Sequence, residues 1–219
     1  MKELTITSAA FRETSEAGEP KRRGNRTTRV PAILEASIRV FATEGNAGFT
    51  QRRVASDAGI RLSTLQHYFG TRDELLRSTI DEMGKRYVER YRALARDKLR
   101  SPEARLDVIV DETFAALTGP GTSLSAFALH CWSLAEHEAF VNELAINING
   151  EFLELLAGLV AKINPALPSA ECTLRSALIL SNMEGLTVFI RRAGENAPDL
   201  DALRAATKVV WKALSNAPQ

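Results

Sequence analysis

The residues from Thr50 to Phe69 constrain the fold of this chain more than any other segment, because they read as two short helices joined by one tight turn. Thr50 has a hydroxyl that can cap the first helix, and Gly59 has the backbone freedom that a sharp turn requires. Apolar residues recur at spacings that pack two short helices together: Ala55, Ala58, Ile60, Leu65 and Phe69. This layout is a helix-turn-helix, so we expect its second helix to be presented outward on a small helical unit.

Helical periodicity continues from Thr28 onward, and no segment of the sequence shows the alternation that is typical of a strand. We expect Thr28 to cap the first helix, with Pro31 in the first turn, where its missing N–H is harmless. Gly45 and Gly48 are expected to end that helix. The sequence therefore predicts an all-α fold.

The fourth helix is predicted at about residues 71–98, because Thr71 and Glu74 form a capping box. Ser101 and Pro102 open the fifth helix, and Gly119-Pro120-Gly121 breaks it. The later helices are expected at about residues 123–135, 137–163, 169–192 and 199–215. A buried stripe is predicted on the fifth helix (Leu106, Ile109, Thr113, Phe114, Leu117), and one face of the ninth helix is expected to hold Leu200, Leu203, Thr207, Val210 and Leu214.

Charge is distributed unevenly along the chain. The segment from Lys21 to Arg77 has eleven Lys or Arg and five Asp or Glu, a net +6, so with +1 overall the remainder carries −5. One basic end on a mildly acidic body indicates a polyanionic partner at that end. Residues 1–25 are polar and aperiodic, and we expect a flexible basic tail there, either a solvated tail or an arm that contacts DNA.

The composition argues against several classes of protein. With no run of about 18 apolar residues we expect no membrane span, and the polar start lacks the pattern of a secretory signal, which favours a cytoplasmic protein. Cys131 and Cys172 match no metal-site spacing and are expected to be reduced. No GxSxG, HExxH or Gly-rich phosphate loop is present, so an enzyme is not expected.

The second helix of a helix-turn-helix reads base edges in the major groove, where all four base pairs differ. Here the residues that would face the bases are Arg61, Leu62, Ser63, Thr64, Gln66 and His67. The candidates for phosphate contacts are Thr50, Gln51, Arg52, Tyr68 and Arg72. Any single arginine in this region can instead be a solvated charge, and Arg53 is expected to point away from DNA. We therefore predict double-stranded operator DNA as the partner.

A longer set of spaced residues surrounds this motif: Ala36, Phe41-Ala42, Gly45, Phe49-Thr50, Val54-Ala55, Ala58-Gly59-Ile60, Thr64-Leu65, His67-Tyr68-Phe69 and Asp73-Glu74-Leu75-Leu76. The pattern resembles the TetR family of bacterial transcriptional regulators over about residues 27–77. Two departures concern the recognition helix. Gln66 stands where the family usually has a tyrosine, and Arg61 stands where it usually has a small polar cap. Both changes are expected to alter the operator sequence.

The resemblance implies a three-helix DNA-binding domain at 26–80, joined by a long helix to a helical domain at 81–219 that binds an effector and dimerises. It implies a ligand-released repressor; an activator and a non-specific architectural DNA-binding protein are the alternatives. A homodimer through the eighth and ninth helices is implied, with a face of the eighth as contact or as internal core: Ala177, Leu178, Ser181, Gly185 and Val188.

The resemblance also implies a cavity for an unidentified small molecule, enclosed by helices four to eight. Plausible lining residues are Phe114, Phe127, His130, Cys131, Trp132, Phe152, Leu156 and Glu184. Glu184 lies in an apolar stretch, where it can meet a cationic ligand or be exposed or internally paired. The segment 130–138 is rich in His and Glu, but its acids fit the start of the seventh helix, so neither a metal nor a cofactor is predicted.

Overall fold

The computed structural model describes residues 26–118 and 123–218, and that part of the chain is helical with no strand. Its helices are α1 (Arg26–Gly48), α2 (Gln51–Asp57), α3 (Leu62–Tyr68), α4 (Arg72–Ala95), α5 (Pro102–Thr118), α6 (Ser123–Ala135), α7 (Ala139–Ile163), α8 (Ser169–Ala193) and α9 (Leu200–Asn216). The expected tail at 1–25 and the break at 119–121 lie outside the described residues. The all-α prediction is confirmed.

The predicted helix boundaries are mostly confirmed because capping groups determine them. Thr71 accepts a hydrogen bond from the backbone N–H of Glu74 at 3.1 Å, and the Glu74 carboxylate accepts one from the Thr71 N–H. The Ser101 hydroxyl likewise accepts from the Ala104 N–H at 3.2 Å at the start of α5. Helices α4 to α9 begin and end within about three residues of the predicted limits.

The predicted start of α1 is wrong. The helix begins at Arg26, so Thr28 lies inside it and Pro31 lies beyond the first turn. The missing N–H of Pro31 leaves the Thr27 carbonyl without its helical donor, and because Thr27 is exposed, water can take that place. At the other end Gly45, with φ 63° and ψ −165°, interrupts the helix as expected.

Buried apolar side chains form two clusters that divide along α4. One cluster includes α1, α2, α3 and the start of α4 as far as Ile80, together with Phe127, Leu134 and Val141 from α6 and α7. The other begins at Val88 and contains the buried faces of α5, α7 and α8. Helix α4 therefore belongs to both cores, and α6 packs directly against α1.

The ninth helix is held on α5 by ion pairs and on α8 by a buried arginine. Lys208 and Lys212 pair with Asp111 and Asp107 at 2.6 and 3.0 Å. Arg175, only 5% exposed, donates to the carbonyls of Leu214 and Ala217 at the end of α9 at 2.8 and 2.6 Å. These contacts fix the rotation of α9 about its axis.

That rotation determines how much of the predicted apolar face of α9 is buried. The α5 stripe is buried as expected. On α9 the buried side chains are Thr207, Trp211 and Ser215, and Trp211 donates to the side chain of Asn182 at 2.8 Å. Val210 is 49% exposed, so the buried face of α9 only partly coincides with the predicted apolar face. The large indole, which the predicted face omitted, determines which face turns inward.

Helix α7 is the one described helix that is long and apolar enough to cross a membrane, with a mean hydropathy of 1.4 over its most apolar window. Length and composition alone are weak evidence, because core helices pass the same test. Helix α7 packs against α4, α6 and α8. Its apolar character is accounted for by those contacts and by the cavity described below.

Candidate nucleic-acid interface and effector cavity

The α2–α3 pair is held by local contacts. The Thr50 hydroxyl caps α2 by accepting from the Arg53 N–H at 3.1 Å. Gly59 has φ 63°, and the N–H groups of Gly59 and Ile60 bond to the carbonyls of Ser56 and Ala55 at 3.1 and 3.0 Å. This is a Schellman ending, in which a left-handed glycine satisfies the last carbonyls of the helix. The predicted turn is therefore confirmed.

The buried side of the pair is fully packed, and its outer side is polar. Val54 and Leu65 are 0% exposed, so α3 cannot rotate without losing core contacts. Its outward residues fall into two groups: Arg61, Ser63, Gln66 and His67 are exposed, while Leu62, Thr64 and Tyr68 are half-buried. Arg61 is the N-cap of α3, and its side chain makes no capping bond. The six residues predicted to face base edges thus lie on α3 or at its cap, and none is buried.

Two glutamines connect the helices of the motif. The Gln51 amide donates to the Phe69 carbonyl at 2.9 Å, which ties the start of α2 to the end of α3. The Gln66 amide donates to the Gln51 side-chain oxygen at 3.4 Å. Gln66 therefore lies between the two helices and retains its own carbonyl oxygen as a free acceptor within the described residues.

The arginines near the motif differ in their partners. Arg53 pairs with Glu44 at 2.7 Å and with Asp57 at 3.6 Å, so its charge is used within the fold. Arg72 donates to the carbonyls of Phe49 and Asn46 at 2.8 and 2.9 Å, so its guanidinium closes the α1–α2 loop. Arg52 is exposed and has no ion pair among the described residues. Of these three, Arg52 has the charge most available to a phosphate.

A cavity of about 120 Å³ lies between α4, α5, α6, α7 and α8 and opens to the surface. Small-molecule sites commonly have a mostly apolar wall of this kind. Five of the eight predicted residues line it: Phe127, Cys131, Trp132, Phe152 and Glu184. Phe114 and Leu156 do not line it and are buried in the adjoining core, and His130 is turned toward α1.

Sequence reasoning missed most of the wall that α4 and α8 contribute. Ile80, Met83, Gly84 and Tyr87 line the cavity from one face of α4. Their spacing of three or four residues was a usable signal, although spacing alone does not separate a cavity wall from ordinary core. Asn149, from α7, adds a polar side chain at an exposed position.

Burial sets the protonation behaviour of the cavity wall. Burial raises the pKa of Glu184 above its usual value, while a hydrogen bond from Asn149 acts in the opposite direction. Burial also raises the pKa of Tyr87, whose hydroxyl donates to Tyr91 at 3.3 Å. For the Cys131 thiol, burial raises the pKa to about 12. Cys131 is therefore protonated at neutral pH and is a poor nucleophile.

Side chains of α6 connect the cavity to α1, the helix on which the helix-turn-helix packs. The Phe127 ring lines the cavity and packs edge-to-face on Phe41 of α1, with ring centroids 4.9 Å apart. Three residues along α6, the His130 ring packs against Gly45, where a Cβ would lie 2.9 Å from its Cε1. A change in the position of α6 therefore reaches α1 directly.

Metal-binding groups are not gathered anywhere in residues 26–118 or 123–218: no three His, Cys, Asp or Glu side chains come together there. His130 contacts α1, while His67 lies on the surface of α3, next to the Tyr68 ring.

Comparison with known proteins gives a consistent family. The family model described as "Bacterial regulatory proteins, tetR family" matches residues 33–79. The HTH-type transcriptional regulator BetI of Paraburkholderia xenovorans is 26% identical over 187 residues, which cover 85% of this chain and 94% of that protein. The likeness thus extends from the helix-turn-helix through the helical body.

Solved structures share the fold. A TetR-like transcriptional regulator from Rhodococcus sp. RHA1 superimposes with a TM-score of 0.64 at 23% identity, covering 88% of this chain and 96% of that one. FadR of Bacillus subtilis, solved in complex with stearoyl-CoA, gives a TM-score of 0.66 at 19% identity, covering 87% and 100%. The helix-turn-helix of this chain thus matches the tetR family of bacterial regulatory proteins, and its helical body has the fold of TetR-like transcriptional regulators.

Proposed function

We propose that the chain is a cytoplasmic homodimeric repressor that reads operator DNA through α3 and leaves it when an effector fills the cavity. One observation carries the DNA-binding part: α3 presents polar side chains on its outer side while Leu65 fixes its inner side in the core. A helix held in this way can enter the major groove with its side chains already placed. The division into units at 26–80 and 81–219 belongs to the same proposal.

Dimerisation through α8 and α9 is supported by their exposed apolar side chains. Leu174, Leu178 and Phe189 of α8 are 56%, 47% and 48% exposed in the single chain, and Val209 and Val210 of α9 are 66% and 49% exposed. Large exposed apolar side chains concentrated on two helices favour an interaction site there. The small residues Ala177, Ser181 and Gly185 are exposed on α8 too, which allows a partner helix to approach closely.

A dimer also explains how one short helix can provide specificity. Two recognition helices related by two-fold symmetry read two half-sites about one helical turn, or a multiple, apart. Each good bidentate base contact adds about 1–3 kcal/mol of discrimination. Arg61 and Gln66 are the bidentate candidates, and Leu62, Ser63, Thr64 and His67 complete the reading face.

The phosphate contacts are assigned in two groups. Arg52 and Tyr68 offer their side chains to the backbone of the duplex, and Thr50 and Gln51 stand at the start of α2. Arg72 contributes mainly by position, because its guanidinium is engaged in the fold and its backbone N–H lies in the first turn of α4. A helix N-terminus attracts an anion.

Release by the effector is supported by the contacts of α6. A molecule in the cavity touches Phe127, which packs on Phe41 of α1. Repacking of Phe127 would shift the DNA-facing units and change the separation of the two recognition helices. An effector that binds this second geometry more tightly than the first lowers the affinity for DNA. The size of the effect is set by the difference between its affinities for the two geometries.

The assignment is tested with a duplex that the wild-type protein selects from a random pool. Arg52→Ala is expected to weaken binding to all duplexes alike and to reduce the salt dependence, because it removes a phosphate contact. Thr64→Ala is expected to relax the preference at one base position and to leave the salt dependence unchanged. Glu195→Gln, at an exposed position two residues beyond the end of α8, is the control.

Unchanged affinity and unchanged sequence preference in both variants would remove this surface as the DNA site. Equal affinity of the wild-type protein for random and selected duplexes at physiological salt would instead favour a non-specific architectural protein.

A further inference from the structure

Among the described residues that line the cavity, one is charged, the carboxylate of Glu184. Asn149 donates a hydrogen bond to it, and no cationic side chain among the described residues acts on it. Ionising a carboxylate in such a place is unfavourable, which is why burial raises its pKa. Glu184 therefore lacks a positively charged partner in the part of the chain that the structure describes.

Aromatic rings surround the same space. Tyr87 and Phe152 pack with ring centroids 5.1 Å apart, and both line the cavity together with Trp132. The Tyr87 hydroxyl donates its hydrogen bond to the Tyr91 hydroxyl at 3.3 Å and not to Glu184. The faces of aromatic rings carry partial negative charge and attract organic cations.

We propose that the cavity takes a hydrophobic organic cation, a substituted ammonium on an apolar body, with Glu184 as its counter-ion and the rings of Tyr87 and Trp132 around the charge. This inference rests on the proposed function, since it assumes that the cavity is the effector site. A neutral effector would leave Glu184 uncompensated, and an anionic one would be repelled by it.

Arg191 is the nearest candidate for an opposing charge on α8. It lies two helical turns, about 10 Å, beyond Glu184. Its guanidinium donates to the Ser125 hydroxyl at 3.0 Å and is not part of the cavity wall. If the effector were an anion, Arg191 would be its partner. The test below therefore includes an anionic probe.

Three probes with the same alkyl chain separate charge from hydrophobicity: octyltrimethylammonium, octanol and octanoate. Each is titrated into the full-length protein by calorimetry. We expect the ammonium to bind at least about tenfold more tightly than the alcohol, and the carboxylate to bind most weakly. Trp132 lines the cavity whereas Trp211 lies in the core, so ammonium binding should also change tryptophan fluorescence, and Trp132→Phe should abolish that change.

Glu184→Gln keeps the shape of the side chain and removes its charge. We expect it to reduce ammonium affinity by about tenfold or more and to leave octanol affinity unchanged. Glu143→Gln removes a carboxylate from an exposed position on α7 outside the cavity and should leave all three affinities unchanged. Thermal unfolding of both variants verifies that they are folded.

The inference is overturned if none of the probes binds, if octanol or octanoate binds as tightly as the ammonium, or if Glu184→Gln retains full ammonium affinity. In each of these cases the protein can still bind its selected duplex, and the proposed function stands. If the protein binds no duplex, the proposed function fails, while calorimetry still decides the chemistry of the cavity.

Discussion

The helix-turn-helix and the cavity use the same kind of element in opposite ways. Helices α2 and α3 have seven residues each and close completely over Val54 and Leu65. The longer helices α4 to α8 leave an open cavity of about 120 Å³ between them. Full packing holds the outward side chains of α3 in one place, while incomplete packing lets the body accept a ligand and rearrange. The region that presents the α3 side chains is thus rigid, whereas the region around the cavity can adapt to a ligand.

The largest expected difference concerns matched truncations of leucine in the two regions. Leu65→Ala should lower the free energy of unfolding by about 3–5 kcal/mol, because it opens a void in a closed core. Leu180→Ala should lower it by about 2 kcal/mol, because Leu180 borders the cavity and has fewer neighbours to lose. Urea unfolding followed by circular dichroism measures both, and equal losses would mean that the cavity wall is packed as tightly as the motif.

The contact between the regions is tested at Gly45. Its φ of 63° and ψ of −165° are accessible almost only to glycine, and a Cβ would meet His130 at 2.9 Å. Gly45→Ala should therefore cost about 1–3 kcal/mol of strain before the clash is counted. Gly59→Ala, with φ 63° but open space around it, should cost about 1–2 kcal/mol.

Thermal unfolding of these glycine variants, alone and with His130→Ala, gives the comparison. We expect His130→Ala to recover part of the loss caused by Gly45→Ala and none of the loss caused by Gly59→Ala. Recovery in neither background would show that α6 does not press on α1 at this point.

The smallest expected effect is the pH dependence of stability at Glu184. Because its pKa is raised in the folded protein, its contribution is fully present below the ordinary pKa of 4.5 and is lost as pH rises through the folded value. Glu184→Gln cannot ionise, so it should unfold at a higher temperature than the wild type at pH 8, with a difference that shrinks as the pH falls toward 4.5. Glu143→Gln should show no such trend, and a constant difference for Glu184→Gln would contradict the assigned cause.

The two regions also differ in how far the sequence predicts them. The motif depends on contacts within twenty residues, so the Thr50 cap, the Gly59 turn and the buried Leu65 could all be identified from spacing. The start of α1 could not, because a helix can begin several residues before a good capping residue when water satisfies its first N–H groups. The fold partners of Arg72 could not be predicted either, since Phe49 and Asn46 are distant from it in the sequence.

The cavity depends on how five helices rotate about their axes, and spacing does not determine rotation. Phe152 lines the space whereas Leu156, one turn further along α7, lies in the core. On α9 the rotation depends on Trp211 and on the ion pairs to α5, which leave Val210 half exposed. A sequence pattern identifies apolar faces, but it does not show which of them meet and which surround a void.

The most direct test of the central claim is selection of duplexes from a random-sequence pool by the full-length protein without effector. We expect enrichment of a two-fold symmetric sequence whose half-sites are about one helical turn, or a multiple of it, apart. We also expect Gln66→Ala to change the preferred base at matching positions of both half-sites and to leave the spacing unchanged. Recovery of unsymmetrical or unrelated sequences by the wild-type protein would contradict an α3 surface that reads the major groove as one of a symmetric pair.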